Sequence, residues 1–367
     1  MKSTPIKARA LWLSCGFSFL AKEDSLFVLL LLLLLWLLLL LLLGISRKGP
    51  GAMAEEELQE QILSEPLMDL SNLGRAVDGS GFVFRSVVCV GKRIGPIKAI
   101  EGYTLMQDVD LSENLIKDVA SLKGLQFLLR LNLSSNAIVS LKGWESDEPT
   151  FPNLTHLDLR SNQLDKLSPM PFKRLVSVCL AKNEIASIQD FGGHETLESL
   201  DLSENKLSSL SGLGSLPALK VLNVSSNELL DINGLSEVPV LEDLNLAGNK
   251  FQSLEGSWQA LAALRSLDLS SNQLESEKPL EVLRHLPLLR SLKVAGNPFA
   301  EALPKGTAAA HVTVLGAHWR LESIDGVPVL EEHLETAKGL NVQRILDERA
   351  QAKAEAEAAA AAAATEE

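Results

Sequence analysis

Apolar positions between residues 106 and 299 recur at a fixed long stride rather than with one continuous helical or strand period. The repeating unit is L-x-x-L-x-L-x-x-N-x-L. It is clearest at Leu154/Leu157/Leu159/Asn162/Leu164, Leu197/Leu200/Leu202/Asn205/Leu207, Leu241/Leu244/Leu246/Asn249/Phe251 and Leu264/Leu267/Leu269/Asn272/Leu274. Conservative variants begin at Met106, Leu128, Leu175, Leu219 and Leu289. The nine copies place asparagines at Asn114, Asn136, Asn162, Asn183, Asn205, Asn227, Asn249, Asn272 and Asn297, most of them 21 to 23 residues apart.

Each position of the unit has a physical reason. The x-L-x-L-x segment alternates with period two, which predicts a short strand with its leucines on one side. A single unit cannot bury those leucines, so copies must stack into one continuous core. The expected fold is α/β: a solenoid with a curved parallel sheet on its concave side and 3-10 or short helical turns on its convex side. The returns Leu122-Lys-Gly-Leu125, Leu210-Ser-Gly-Leu213 and Ile232-Asn-Gly-Leu235 suit such turns. Where the chain leaves each strand, an asparagine amide can both donate to and accept from backbone groups. The nine asparagines are therefore expected to form a ladder joining neighbouring copies. Replacing a mid-array asparagine by leucine should cost roughly 1–3 kcal/mol for each backbone group left unpaired.

A degenerate copy at Phe84, Val87, Cys89, Lys92 and Ile94 precedes the array, with Lys92 in place of asparagine as suits a terminal repeat. Cys89 then takes an inward leucine position. The array is read as residues 83–299. Residues 53–82 are read as an acidic helical N-cap region, because Leu58, Ile62, Leu63 and Leu67 have helical spacing. Residues 300–330 are read as a C-terminal cap built round Leu321-x-x-Ile324-Asp-Gly, and 331–367 as a helix-forming Ala/Glu-rich tail.

The first 52 residues depart from this picture. A basic segment (1–25) precedes an almost pure leucine run (26–45), long enough to cross a bilayer. Two readings stay open: a membrane anchor through residues 26–43, or a low-complexity leader translated in error ahead of a start at Met53. Mass spectrometry of the natural N-terminus separates them.

Charge and motifs narrow the function. The first 52 residues carry six cations and two acids, a net +4, so the remainder of a chain of formal charge −13 carries −17. That body repels a phosphate backbone, which argues against nucleic acid and favours basic protein surfaces. The cysteines Cys15, Cys89 and Cys179 make no C-x-x-C pair and no even framework, which reads as a reducing, cytoplasmic compartment. The sequons at Asn132, Asn153 and Asn223 fall inside the repeat pattern, which generates N-x-S by chance. No Walker loop, H-E-x-x-H or G-x-S-x-G occurs, and the six histidines share no ligand spacing, so no enzyme activity, cofactor or metal is expected.

The outward strand positions are the candidate site. The central row runs Asp110, Asn132, Asp158, Cys179, Asp201, Asn223, Asn245, Asp268 and Lys293, with Arg160 among small residues in the row beyond. Stacked copies bring successive members about one strand spacing (~4.8 Å) apart. The wall is polar, mildly acidic and open. Two readings of it stand: a groove for a partner helix or loop bearing Lys or Arg, or residues that simply fill the repeat pattern. Trp144, in the acidic stretch Trp144-Glu-Ser-Asp-Glu148 that widens one repeat step to 26 residues, is read as a rival contact site.

The array resembles the 22-residue class of intracellular leucine-rich repeat proteins. Within it, Leu70-Ser-Asn-Leu, Gly81-Phe and Val109-Asp-Leu-Ser-Glu-Asn-Leu-Ile-Lys-Asp-Val119 resemble the leucine-rich repeat protein of ciliary radial spokes over roughly residues 69–330. The array is also similar to the regulatory leucine-rich repeat subunit of protein phosphatase-1. What these resemblances imply is a non-catalytic scaffold binding other proteins, in the axoneme in the first case and on a phosphatase in the second. A membrane-anchored adaptor is the further alternative if the leucine run is genuine.

Overall fold

The computed structural model describes residues 61–75, 81–142, 144, 151–167, 169–170, 172–188, 191–302 and 307–339. The chain divides into residues 1–59 and 60–367, and all described residues belong to the second unit. The leucine run and most of the Ala/Glu-rich tail therefore lie outside the described residues. Among the described residues, no helix is long and apolar enough to cross a membrane.

Thirteen strands form one open sheet in strict chain order. Nine three-residue strands are its body: β3 (Asp108–Asp110), β4 (Arg130–Asn132), β5 (His156–Asp158), β6 (Ser177–Cys179), β7 (Ser199–Asp201), β8 (Val221–Asn223), β9 (Asp243–Asn245), β10 (Ser266–Asp268) and β11 (Ser291–Lys293). They pair in parallel without slippage, so Val109, Leu131, Leu157, Val178, Leu200, Leu222, Leu244, Leu267 and Leu292 form one buried row. The stride of the leucines sets this register, since a slip of one residue would expose the whole row. The convex returns are short turns, with 3-10 segments at Lys98–Gly102, Ala120–Gly124, Trp258–Ala260 and Lys278–His285. This is a leucine-rich repeat solenoid of the α/β class.

At every repeat the chain reverses through a left-handed residue immediately before the asparagine: Glu113, Ser135, Ser161, Lys182, Glu204, Ser226, Gly248, Ser271 and Gly296. The reversal aims each asparagine inward. Gly234 meets a different constraint, because a Cβ there would lie 2.3 Å from the Leu210 carbonyl oxygen of the preceding repeat.

The two ends are closed by antiparallel pairs. At the start, β1 (Asp69–Arg75) pairs with β2 (Phe82–Val88), and β2 joins β3 in parallel. The helical N-cap expected over residues 53–82 is not formed in its described part. Residues 61–82 hold a bridge from Gln61 to Ile94, a 3-10 turn at Glu65–Leu67 and strand β1. Pairing the free edge of the sheet satisfies a row of backbone groups that a helix would leave open. At the other end, α1 (Pro298–Ala302) and α2 (Thr307–Ala317) precede β12 (Ser323–Ile324) and β13 (Val327–Pro328). Asp325 Oδ1 accepts hydrogen bonds from Val294 N at 2.7 Å and Ala295 N at 2.9 Å, standing in for the strand that a further repeat would supply. Residues 331–339 are helical.

The C-terminal cap carries a pH dependence. His311 and His318 are buried, and the His311 ring meets His333 edge-on at 5.5 Å. Burial pushes both imidazoles below the ordinary value of about 6.5, and the His333 charge adds to the effect at His311. As pH falls through 6.5 the unfolded chain takes up protons that the folded cap refuses. The stabilisation present above that pH is then lost progressively toward the lower folded values. Thermal melts should show Tm falling as the pH drops below about 6.5. His311→Phe, which removes an Nδ1 with no hydrogen-bond partner, should make that fall shallower. An unchanged slope in the variant would place the acid sensitivity elsewhere.

Candidate interaction face

Each asparagine of the series Asn114 to Asn297 sits at the end of its strand, 9% exposed or less. In Asn205, Oδ1 accepts from Ile185 N at 3.0 Å in the preceding repeat. Its Nδ2 donates to Leu180 O and Leu202 O, both at 3.0 Å. The same pattern holds at Asn162 and Asn249, which accept from Ile138 N at 3.1 Å and Leu229 N at 3.0 Å. At the first copy, Asn114 Oδ1 accepts from both Lys92 N and Ile94 N, so the repeat without its own asparagine is held by the next one. These residues are frame, buried beneath the face they align.

The outward rows form that face. Asp110, Asn132, Asp158, Asp201, Asn223, Asn245 and Asp268 stand one per strand along it, and each uses Oδ1 to accept the backbone N–H two residues on. The distances include 3.0 Å from Ser112 N to Asp110, 3.0 Å from Ser134 N to Asn132 and 3.0 Å from Ser203 N to Asp201. Arg160, Ser225, Ala247 and Ser270 make the same bond to Asp158, Asn223, Asn245 and Asp268. Where serine follows an aspartate, its hydroxyl adds a second bond, at 2.6 Å to Asp110, 2.7 Å to Asp201 and 2.6 Å to Asp268. The row is thus built into the strand exits as well as displayed, a role that the recurring D/N-x-S spacing signals. Ser112, Ser134 and Ser203 are buried.

Charge along the face is only partly neutralised. Arg130 pairs with Asp108 at 2.7 Å, Arg160 pairs with Asp158, and Lys293 pairs with Asp268 at 3.0 Å. Burial pushes the Asp268 carboxyl up, but hydrogen bonds from Ser270 and Lys293 outweigh it and hold the group below its ordinary range. The Asp158 carboxylate holds the Arg160 guanidinium above its usual value. Asp110, Asp201 and Asp243 form no ion pair among the described residues. Over β2 to β6 the face holds an open cavity of about 460 Å³ lined by Asp108, Asp110 and Asp158 together with Arg130, Arg160 and His156.

The remaining candidates fall elsewhere. Trp144 is 1% exposed, so the contact site expected there is corrected: it is a core residue. Its Nε1 donates to Val119 O at 3.1 Å, and its ring meets Phe151 and Phe172 edge-on. Cys89 is buried, donates to Leu67 O at 3.2 Å, and has its thiol pushed up by burial. Cys179, on the outward row, is pushed up by burial as well. Among the described residues no three His, Cys, Asp or Glu side chains are grouped to hold a metal ion.

Models of known protein families agree with the repeat reading. Three family descriptions match the chain: "Leucine Rich Repeat" over residues 153–175, "Leucine Rich repeats (2 copies)" over 195–237 and "Leucine rich repeat" over 239–299. The chain is a leucine-rich repeat protein. A search of curated proteins returned no match. Among solved structures it is similar to an internalin (inlF) from Listeria monocytogenes at 21% identity and TM-score 0.32, covering 66% of this chain and 86% of the other. It is also similar to TLR13 in complex with ssRNA13 (22% identity, TM-score 0.49, 66% and 39% covered) and to the APL1 leucine-rich repeat domain (20%, 0.47, 64% and 59%). The chain thus spans less than two thirds of those last two chains.

Proposed function

We propose that this protein is a non-catalytic scaffold that binds another protein through the concave face of the solenoid, taking a helix or loop that carries Lys or Arg. The observation that carries this reading is the outward face itself, on which Asp110 and Asp201 in the central row and Asp243 in the row before it form no ion pair among the described residues. Electrostatic complementarity of this kind sets partner choice and encounter rate. An acidic body supports a protein partner over nucleic acid. The likeness of residues 69–330 to the radial-spoke leucine-rich repeat protein supports a structural subunit of the axoneme, and the free thiols of Cys89 and Cys179 suit a reducing compartment.

The test uses two pairs of variants. Asp158→Asn with Asp201→Asn removes the charge but keeps an Oδ1 acceptor, as Asn132, Asn223 and Asn245 already do in the same row. Asp158→Lys with Asp201→Lys reverses the charge. Partner affinity should fall in the order native, Asn pair, Lys pair, with the Lys pair weaker by roughly ten-fold or more; the Asn pair should melt close to native, and the Lys pair, which loses both strand-exit acceptors, should melt lower while staying folded at the binding temperature. Undiminished binding by the Lys pair would move the interface off the concave face. Mass spectrometry of what the native chain captures from ciliated cells, and the Lys pair does not, separates spoke components from a phosphatase catalytic subunit.

A further inference from the structure

The antiparallel pair at the N-terminal end carries an apolar surface that the repeat pattern does not call for. Along β2, Val87 is the buried row member, so Phe82, Phe84, Ser86 and Val88 point to the opposite, concave side. Paired residues share a face, and Leu73 lies opposite Phe84. Leu73 is 59% exposed, Phe82 72%, Phe84 41% and Val88 39%. The four form an open apolar ledge at the end of a groove whose other outward positions are mostly polar. Such clusters mark contact surfaces, unlike singly scattered apolar residues.

The ledge is continuous with this cavity, in which Asp108 and Asp158 pair with Arg130 and Arg160 and Asp110 forms no ion pair among the described residues. Val88 pairs with Asp110 across the β2–β3 boundary, and Val88, Asp108, Asp110 and Asp158 line the same cavity. Asp108 Oδ1 is buried there and accepts no hydrogen bond, although Arg130 Nε stands 2.7 Å away as an ion-pair partner.

We infer that the groove takes an amphipathic helix of a partner protein in one orientation, with an apolar anchor on the ledge and basic side chains over the aspartates. This rests on the concave-face reading above and adds the anchor, the polarity and the spacing. One strand spacing of ~4.8 Å separates β2 from β3, and three, about 14 Å, separate β2 from β5. At 1.5 Å per helical residue these are about 3 and about 10 residues. Lys or Arg at positions 3–4 and 10–11 beyond the apolar anchor would face Asp108/Asp110 and Asp158, sharing Asp108 and Asp158 with the arginines that already pair there. An acid near position 7 would face Arg130. Offsets of 3–4, 7 and 10–11 lie on one face of an α-helix. A second copy of this chain seated ledge to ledge would bring two acidic grooves together, and like-charge repulsion disfavours it.

The probe is a labelled alanine-based helical peptide with Phe and Leu at one end, Lys at those two offsets and Glu between them, followed by fluorescence anisotropy on the full chain. Leu73→Ser with Phe82→Ser should weaken binding by roughly ten-fold or more. Asp110→Asn with Asp158→Asn should weaken it as well. A peptide with Ser in place of Phe and Leu should bind weakly and ignore the Leu73/Phe82 change, because the anchor it reports is gone from both sides. Unaltered circular dichroism melts keep the comparison on binding. If the Leu73/Phe82 variant binds within two-fold of native while the aspartate variant is weakened, the anchor is wrong and the acidic groove stands. If neither variant is weakened, or the peptide does not bind at millimolar concentration, both fall. A native dimer in light scattering that Leu73→Ser with Phe82→Ser dissolves would show a second copy on the ledge and overturn the inference.

Discussion

Trp144→Ala is expected to destabilise the solenoid by about 3–5 kcal/mol, the usual cost of emptying a large aromatic site in a core. The ring meets Phe151 at a centroid distance of 5.1 Å and Phe172 at 5.8 Å, both edge-on, and the two phenylalanines meet each other at 5.6 Å. These three rings fill the space opened by the 26-residue step between Asn136 and Asn162. Alanine would leave a void between rigid neighbours and remove the bond from Nε1 to Val119 O at 3.1 Å, leaving that carbonyl only the Leu122 N–H. Trp144→Phe should recover most of the loss, leaving roughly 1 kcal/mol for the missing hydrogen bond and the smaller ring. Urea titrations measure both. Because each repeat contacts only its neighbours, hydrogen exchange in Trp144→Ala should rise in β3 to β6 and change little in β9 to β11. Uniform acceleration along the array would show the solenoid melting as one unit.

The burial of Trp144 was written in the sequence, in a comparison of returns rather than of strands. Leu141-Lys-Gly-Trp144 repeats Leu122-Lys-Gly-Leu125, and Leu125 is a buried return residue, so Trp144 occupies a core position of the same kind. The acid-rich residues that follow it suggested a surface insert and masked that equivalence. The strand register and the inward rows were legible for a simpler reason. A period-two element flanked by an inward asparagine has one solution when stacked, and Val109 to Leu292 follow it.

The N-terminal pair was legible only in part. Val87, Cys89 and Ile94 are buried where the degenerate copy puts them. Phe84 is not, because β2 runs seven residues where the other repeat strands run three. In those shorter strands the chain turns between the first and second apolar positions, so that Met106 and Val109 both point inward. A strand extending through Phe84 to Val87 places residues three apart on opposite faces. The apolar ledge follows from that difference in strand length, which pairing with β1 creates and which no local pattern announces. The D/N-x-S capping of the outward row was visible as a spacing, but its consequence needed the backbone turn. The same aspartates cap the strand exits and stand displayed on the outward face, which the filler reading requires and the groove reading also needs.

Asn297→Leu is expected to cost more than Asn205→Leu, although both remove the same buried amide. Around Asn205 the carbonyls are served twice. Leu180 O also accepts from Asn183, and Leu202 O also accepts from Asn227. Ser203 O, a third acceptor for Asn205, also receives Lys182 N. Only Ile185 N–H depends on Asn205 alone, so leucine there orphans one buried donor, at about 1–3 kcal/mol. Asn297 is last in the ladder and fully buried. Its Oδ1 accepts from Leu274 N at 3.1 Å, and its Nδ2 donates to Val294 O at 2.8 Å with no following asparagine to share that carbonyl. Leucine at this position orphans a donor and an acceptor together, for roughly twice the loss. It also loosens the junction where Asp325 seals the sheet through Val294 N and Ala295 N. Urea midpoints at a common m-value should therefore order the proteins native, Asn205→Leu, Asn297→Leu. Equal shifts would mean that the ladder works by filling space rather than by pairing backbone groups.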